Sequence, residues 1–291
     1  MQVTAVIQAQ NKSTIISENS SYIINSGNKN MTIDPKKGGR IASFKLGNYE
    51  FLAGKDIEPD NYGSTFWPSP QSNWNWPPPA VLDHEPYQVE NKDKSIKVTS
   101  EKDHSTGFQF IKEFSAGKKN RLDITYSIVN ISQEVKKVAP WEVTRAHKGG
   151  LIFFPNGEAF TGKKAFAQAP TETINGVVWY KIEKEKLKSS LLNIADGSEG
   201  WIAYAIDGKL FIKKFEDIKP AMFAPGEAEI SFYISGETDY IEIELQGKYE
   251  SLNPGEKSVF KVEWTAADIP ADIKVEKGSK ELVEFVRGII K

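Results

Sequence analysis

The chain has 291 residues, 26% charged and 39% hydrophobic, with 16 Phe, 10 Tyr, 7 Trp, no Cys and a formal net charge of −2. That length suits one large domain or two ordinary ones with a sizeable core. Without cysteine there is no disulfide scaffold, Cys-ligated zinc site or thiol nucleophile. The balanced charge leaves no electrostatic footprint for nucleic acid, and no stretch approaches the roughly 20 apolar residues of a membrane-spanning helix.

The chain opens with a short apolar run, Ala5 to Ala9, followed by polar Gln10, Asn11 and Lys12. The run is too short and lacks the basic start of a complete secretory signal. It reads either as a first strand or as the remnant of an export signal. Residues 1–14 are therefore set apart as a flexible N-terminus, and a periplasmic or secreted location is preferred to a cytoplasmic one. Residues 15–291 are expected to form a single β-sandwich domain.

From Ile15 onward the chain is mostly β-prone. Ile15-Ile16 and Tyr22-Ile23-Ile24 are short runs, and residues 121–130 alternate cleanly, with Leu122, Ile124, Tyr126 and Ile128 on one face and Asp123, Thr125 and Ser127 on the other. Residues 229–234, 240–245 and 259–264 repeat the pattern less strictly. Such alternation predicts strands with one face on a core and the other toward solvent. Turn signals fall between them at Gly27-Asn28, Pro35-Lys36, Ala116-Gly117, Asp207-Gly208, Pro225-Gly226 and Pro254-Gly255. About fifteen or more strands are implied, beyond the roughly seven to nine of an immunoglobulin-like sandwich. The expected fold is all-β, one large antiparallel β-sandwich. Two helical windows remain: Lys280–Ile290, capped by Ser279 with Leu282, Phe285, Val286 and Ile289 on one face, and a weaker Lys/Glu-rich window over 182–194.

The tryptophans are unevenly spread. Trp67, Trp74 and Trp76 fall within residues 61–79, beside Tyr62, Phe66 and prolines at 68, 70, 77, 78 and 79. The prolines argue against a helix or a central strand, so an extended, ordered loop is expected. Its aromatics interleave with Gln71, Asn73 and Asn75. Indoles pack on the apolar faces of sugar rings, and amides meet hydroxyls as both donor and acceptor. The same residues would also serve as a packed plug at one end of the sandwich.

Residues 31–52, with Gly38-Gly39-Arg40-Ile41 at their centre, resemble the early strand pair of galactose-mutarotase-like proteins. The Trp-Pro segment 62–79, the Ala-Pro-Trp-Glu-Val-Thr run 139–144 and residues 242–256 add to the likeness. Together they resemble a bacterial family of the galactose-mutarotase-like (aldose 1-epimerase-like) superfamily, over about residues 20–266. The resemblance implies a supersandwich whose concave face binds a mono- or oligosaccharide. Aldose 1-epimerases, hexose-6-phosphate epimerases and domains of polysaccharide-degrading enzymes share that fold, and fold alone does not fix function.

Sugar mutarotation needs a base for the anomeric hydroxyl and an acid for the ring oxygen. In the epimerases a late Glu is the base and a central His the acid. Glu244, in Ile243-Glu244-Leu245-Gln246, matches the late Glu and is the candidate base, with Gln246 beside it. The central strand here reads Pro140-Trp141-Glu142-Val143-Thr144 and has no His, so Glu142 is the substitute acid, with Trp141 as an apolar wall that would raise its pKa. The alternative is that Glu142 only hydrogen-bonds a hydroxyl. Trp67, Gln71, Trp74, Trp76, Trp141, Arg145, His84 and Gln246 are the candidate sugar contacts. His147 borders the region, His104 lies in a turn, and Arg40, Lys148 and Lys214 are assigned structural or solvated roles. The three histidines lack metal-ligand spacing, so no metal is expected. No phosphate loop, dinucleotide motif or serine-nucleophile elbow occurs, so no cofactor is expected either. Two non-enzymatic alternatives stay open: a glycan-binding accessory module, and a structural sandwich with a packed Trp cluster.

Overall fold

The computed structural model describes residues 14–158, 167–183 and 188–291; the amino-terminal segment set apart above lies almost wholly outside them. Two antiparallel sheets face one another. In the first the strand order is β1 (Thr14–Glu18), β2 (Ser21–Ser26), β3 (Lys29–Asp34), β4 (Arg40–Leu46), β6 (Ser64–Ser69), β11 (Lys136–His147), β19 (Tyr240–Gln246), β18 (Ile230–Ile234) and β15 (Leu191–Ala195). Short β5 (Tyr49–Glu50) pairs with β4, and β20 (Glu250–Leu252) with β11. The second sheet runs β13 (Glu172–Ile174), β14 (Val177–Lys181), β12 (Leu151–Pro155), β16 (Trp201–Ile206), β17 (Lys209–Phe215), β21 (Lys257–Asp268), β10 (Leu122–Asn130), β9 (Phe108–Ala116), β8 (Ser95–Thr99) and β7 (Gln88–Lys92).

The alternation seen in the sequence sets the core. Leu122, Ile124, Tyr126 and Ile128 of β10 are buried between the sheets with Ile241, Ile243 and Leu245 of β19. Asp207 and Gly208 both take positive φ in the β16–β17 hairpin, as the tight turn of a right-twisted hairpin requires. A second apolar cluster lies on the far side of the second sheet, where Phe153, Trp179, Trp201 and Ile212 pack under α2 (Lys280–Ile290) through Leu282, Val283 and Val286. Here α2 follows the short helix α1 (Ala80–Asp83) in chain order. Ser279 caps α2, its hydroxyl accepting from the Leu282 N–H at 3.3 Å, which meets the first-turn donor need. Among the described residues no helix is long and apolar enough to cross a membrane.

Two expectations change. Residues Ser64–Ser69 are not a loop but the fully buried strand β6, with Trp67 opposite Trp141 and Pro68 opposite Pro140 of β11. Proline is tolerated because β4 pairs with β6 only at Ile41↔Ser64; beyond Ser64 one side of the strand is an edge that needs no ladder donor. Second, Leu191–Ala195 in the weaker helical window is strand β15, paired with β18, while 184–187 of that window lie outside the described residues.

Candidate functional site

Side chains alternate across a strand, so β11 divides its residues between two environments. Trp141, Val143, Arg145 and His147 face away from the second sheet; Glu142, Thr144 and Ala146 face into the sandwich. Register carries the same division across the sheet. Trp141 lies opposite Trp67 and Gln246, Val143 opposite Thr65 and Glu244, and Arg145 opposite Glu242. On the next strand Ser231 lies opposite Glu244, and Tyr233 opposite Glu242. The outer face of β6, β11, β19 and β18 thus gathers Trp67, Trp141, Arg145, Glu242, Glu244, Gln246 and Ser231.

Indoles wall one end of this face. Trp67 contacts Trp141, Trp74 and Trp76 edge-to-face, with ring centroids 5.2, 6.0 and 5.7 Å away, a geometry aromatic pairs favour. The Trp67 Nε1–H donates to Asp83 Oδ1 at 2.6 Å. Asp83 is buried, with Arg40 Nη2 at 3.8 Å and His84 Nδ1 at 3.6 Å from its other oxygen. Trp74 is half-buried and donates to the Pro68 carbonyl at 2.7 Å. Trp67 and Trp141 are only 3% and 7% exposed, whereas Trp76 is 56% exposed. The open indole is therefore Trp76; Trp67 and Trp141 support the cluster from beneath. Gln71 sits half-buried in a single turn, Gln71–Asn73, which leads from β6 into Trp74. A cavity of about 280 Å³ adjoins this turn, lined by Ser69, Asn73, Trp74, Ser105, Thr106 and Lys136 among others.

Beside the indoles stand the carboxyls. Glu244 is 4% exposed. Its Oε2 accepts from Trp141 Nε1 at 2.9 Å and Ser231 Oγ at 2.7 Å. Among the described residues no hydrogen bond reaches Oε1. Burial pushes its pKa up to about 8; the neighbouring Glu242 charge adds to the rise, and the Ser231 and Trp141 hydrogen bonds oppose it. Glu242 meets Arg145 Nη2 through Oε1 at 2.8 Å. Burial raises its pKa as well, with Arg145 pulling against the rise. Arg145 also donates to Thr65 Oγ1 at 3.3 Å and lies 5.4 Å from the Trp67 ring centre. Gln246 accepts from Ser69 Oγ at 2.6 Å and donates to Glu227 Oε2 at 3.2 Å. Among the described residues no group of three or more His, Asp or Glu is arranged to hold a metal ion.

Glu142 is elsewhere. It is 0% exposed and points between the sheets, because its neighbour Trp141 points outward. Its Oε2 lies 2.6 Å from Lys213 Nζ of β17, and its Oε1 accepts from Tyr126 Oη at 2.9 Å and Trp264 Nε1 at 3.2 Å. It cannot meet Glu244 across one ligand, and the acid role expected for it is withdrawn. His84 is half-exposed on the margin, after α1. His147 shares the outer face of β11 but stands four residues beyond Val143, the residue facing Glu244. Lys148 is buried rather than solvated, its Nζ donating to the Ser235 carbonyl at 2.7 Å. Arg40 is buried at the base of the β4 turn, donating to the Lys37, Asp60 and Tyr62 carbonyls.

Glu242, Ser231 and Asp83 were not singled out from sequence as site residues. For Glu242 the signal was present: it shares strand and parity with Glu244. Ser231 and Asp83 become visible only once strands and loops are brought together.

Two antiparallel sheets of this size and order make a galactose mutarotase-like fold. Solved structures agree. A galactose mutarotase-like protein from Lactobacillus casei superposes with a TM-score of 0.55 at 13% identity, covering 88% of this chain and 100% of that one. The GalM/aldose epimerase homologue from C. elegans gives a TM-score of 0.57 at 11% identity, covering 89% and 100%. A TPR-domain containing protein from Parabacteroides distasonis gives 0.61 at 17% identity over 88% of this chain; the match spans about half, 49%, of that protein's length. No curated protein matches the sequence. The chain belongs to the family described as domain of unknown function DUF4380, whose model matches residues 62–267.

Proposed function

We propose that the chain binds a sugar on the outer face of β6, β11, β19 and β18 and interconverts its anomers by acid/base chemistry. One observation carries this reading: Glu244 is a buried carboxyl held by two neutral donors through one oxygen, with the other oxygen unbonded among the described residues. The second oxygen is not among the buried atoms that lack a partner, so it is open to a ligand or to water on the outer face. Perturbed pKa values cluster at proton-handling sites. Open Trp76, half-buried Trp74 and the cavity beside it supply an apolar face next to amide and hydroxyl groups. The solved structures of this fold include proteins named as galactose mutarotase-like and as an aldose epimerase homologue.

Polarimetry on freshly dissolved α-D-glucose and α-D-galactose tests the proposal. Acceleration over buffer, lost in Glu244→Gln, is the expected result. A second reading, binding without turnover, is favoured by one observation: no histidine of β11 stands opposite Glu244. Quenching of tryptophan fluorescence by sugar without acceleration of mutarotation would select it.

A further inference from the structure

With Glu142 turned into the sandwich, the outer face is left with one carboxyl of the proposed pair assigned, while mutarotation moves two protons. Glu242 and Glu244 are two residues apart on β19 and on the same face, roughly 7 Å along the strand. Each has one oxygen engaged and one unbonded among the described residues: Oε1 of Glu242 is on Arg145, and Oε2 of Glu244 is on Trp141 and Ser231. Their partners differ in kind. A guanidinium favours the charged form of Glu242. Glu244 has only an indole and a hydroxyl, and buried surroundings with neutral donors favour its uncharged form.

We infer that the two carboxyls divide the reaction, Glu242 as the base that takes the anomeric hydroxyl proton and Glu244 as the acid that protonates the ring oxygen. This rests on the anomer-interconverting reading above and reverses the assignment of Glu244 expected from the resemblance. In the step, the O1–H proton passes to Oε2 of Glu242 while the Oε1 proton of Glu244 passes to O5. The C1–O5 bond breaks, its electron pair leaves with O5, and the O1 electrons form the carbonyl. Rotation about C1–C2 presents the other face of the aldehyde. O5 then attacks C1 and returns its proton to Glu244, and O1 recovers its proton from Glu242. No other reactant is consumed and both groups end as they began.

The charges around the pair are consistent with the division. Glu242 is faced by Arg145 from β11, Tyr233 from β18, Tyr240 on its own strand and the more distant Glu58. Glu244 is faced by Ser231 from β18 and Trp141 from β11, with Glu227 behind Gln246. Lys213 is on the opposite side of the sheet and is paired with Glu142, though its charge also interacts with Glu244 through the sheet. Burial raises the Glu244 pKa, the direction an acid role requires.

The test is the pH dependence of kcat for α-D-glucose and α-D-galactose mutarotation in the full chain, with Glu242→Gln and Glu244→Gln beside wild type. A bell is expected for wild type, its alkaline limb near pH 8 from Glu244. Each variant should lose about 10²–10⁴-fold in kcat. The residual rate of Glu242→Gln should lose the acid limb, and that of Glu244→Gln the alkaline limb. Unchanged sugar quenching of tryptophan fluorescence establishes that each variant is folded with its site intact. Turnover by wild type with Glu242→Gln within about threefold of it overturns the division and leaves the anomerase reading standing. Sugar binding by wild type without turnover overturns both.

Discussion

Glu142 and Glu244 are neighbours through the sheet and opposites in circumstance. Both are buried carboxyls on adjacent strands, one facing inward and one outward. Glu142 has a lysine, a phenol and an indole on its two oxygens. Glu244 has no cation and keeps one oxygen unbonded among the described residues. Burial does not separate the two; the kind of partner does, an ammonium in the interior for Glu142 and neutral donors beside an accessible oxygen for Glu244. A buried ion pair holds the fold in one arrangement, whereas a carboxyl with an accessible oxygen and no ion pair is the kind of group the proposed proton transfer requires.

The comparison breaks most visibly at Glu142. Glu142→Ala leaves the Lys213 charge uncompensated in the interior, which costs about 3–5 kcal/mol; a large fall in thermal midpoint by calorimetry is the expected outcome. Replacing both partners, Glu142→Leu with Lys213→Met, should recover much of that loss, and a double-mutant cycle measures how much. At Glu244 the expectation is reversed. Glu244→Gln should abolish most turnover yet not destabilise the fold. The sign follows from linkage: the native pKa, about 8, lies above the ordinary 4.5, so the native state holds more protons than the unfolded chain between those values. Wild-type stability should fall as pH rises through that window. Glu244→Gln should show a smaller fall than wild type, because Glu229 and Glu242 still contribute, and should exceed wild type near pH 8, read from denaturant midpoints at pH 5 and pH 8.

Smaller effects sharpen the contrast. Trp76→Ala removes the exposed indole and should weaken sugar affinity by up to about tenfold, on the order of 0.5–1.5 kcal/mol, without moving the unfolding midpoint; fluorescence titration beside thermal melting separates the two. Ser231→Ala removes one donor to the Glu244 carboxylate and should move the alkaline limb of the rate profile upward by less than about one pH unit. An unmoved limb in that variant would mean the limb belongs to another group.

Much of the architecture was legible in the chain. Strict alternation at Leu122, Ile124, Tyr126 and Ile128 identified a strand and its inner face, and Ser279 marked the start of the carboxy-terminal helix. The site was legible only in part. Glu244 stands out by its likeness to an epimerase strand, whereas pairing Glu142 with Trp141 in one site conflicts with strand alternation, since adjacent residues of a strand face opposite ways. Pro68 hid strand β6, because tolerance for proline depends on how far a neighbouring strand extends, and that is fixed by the β4–β6 register rather than by local composition. Ser231 and Asp83 approach their partners through pairing and loop closure across the fold, and no local pattern records that.

The inner lysine has one more consequence. Lys213 reaches across the interior to Thr144 Oγ1 at 2.9 Å and to the Ile243 carbonyl at 3.0 Å, residues that alternate with Val143 and Glu244. The two strands under the site are thereby riveted to the opposite sheet. On the proposed reading an incoming sugar would meet a floor whose freedom was already lost when the chain folded, and adjustment to different ring shapes would fall to the short segment that carries Gln71, Trp74 and Trp76. Selectivity among sugars would then be tuned by exchanging that segment, with the proton-handling strands left as they are.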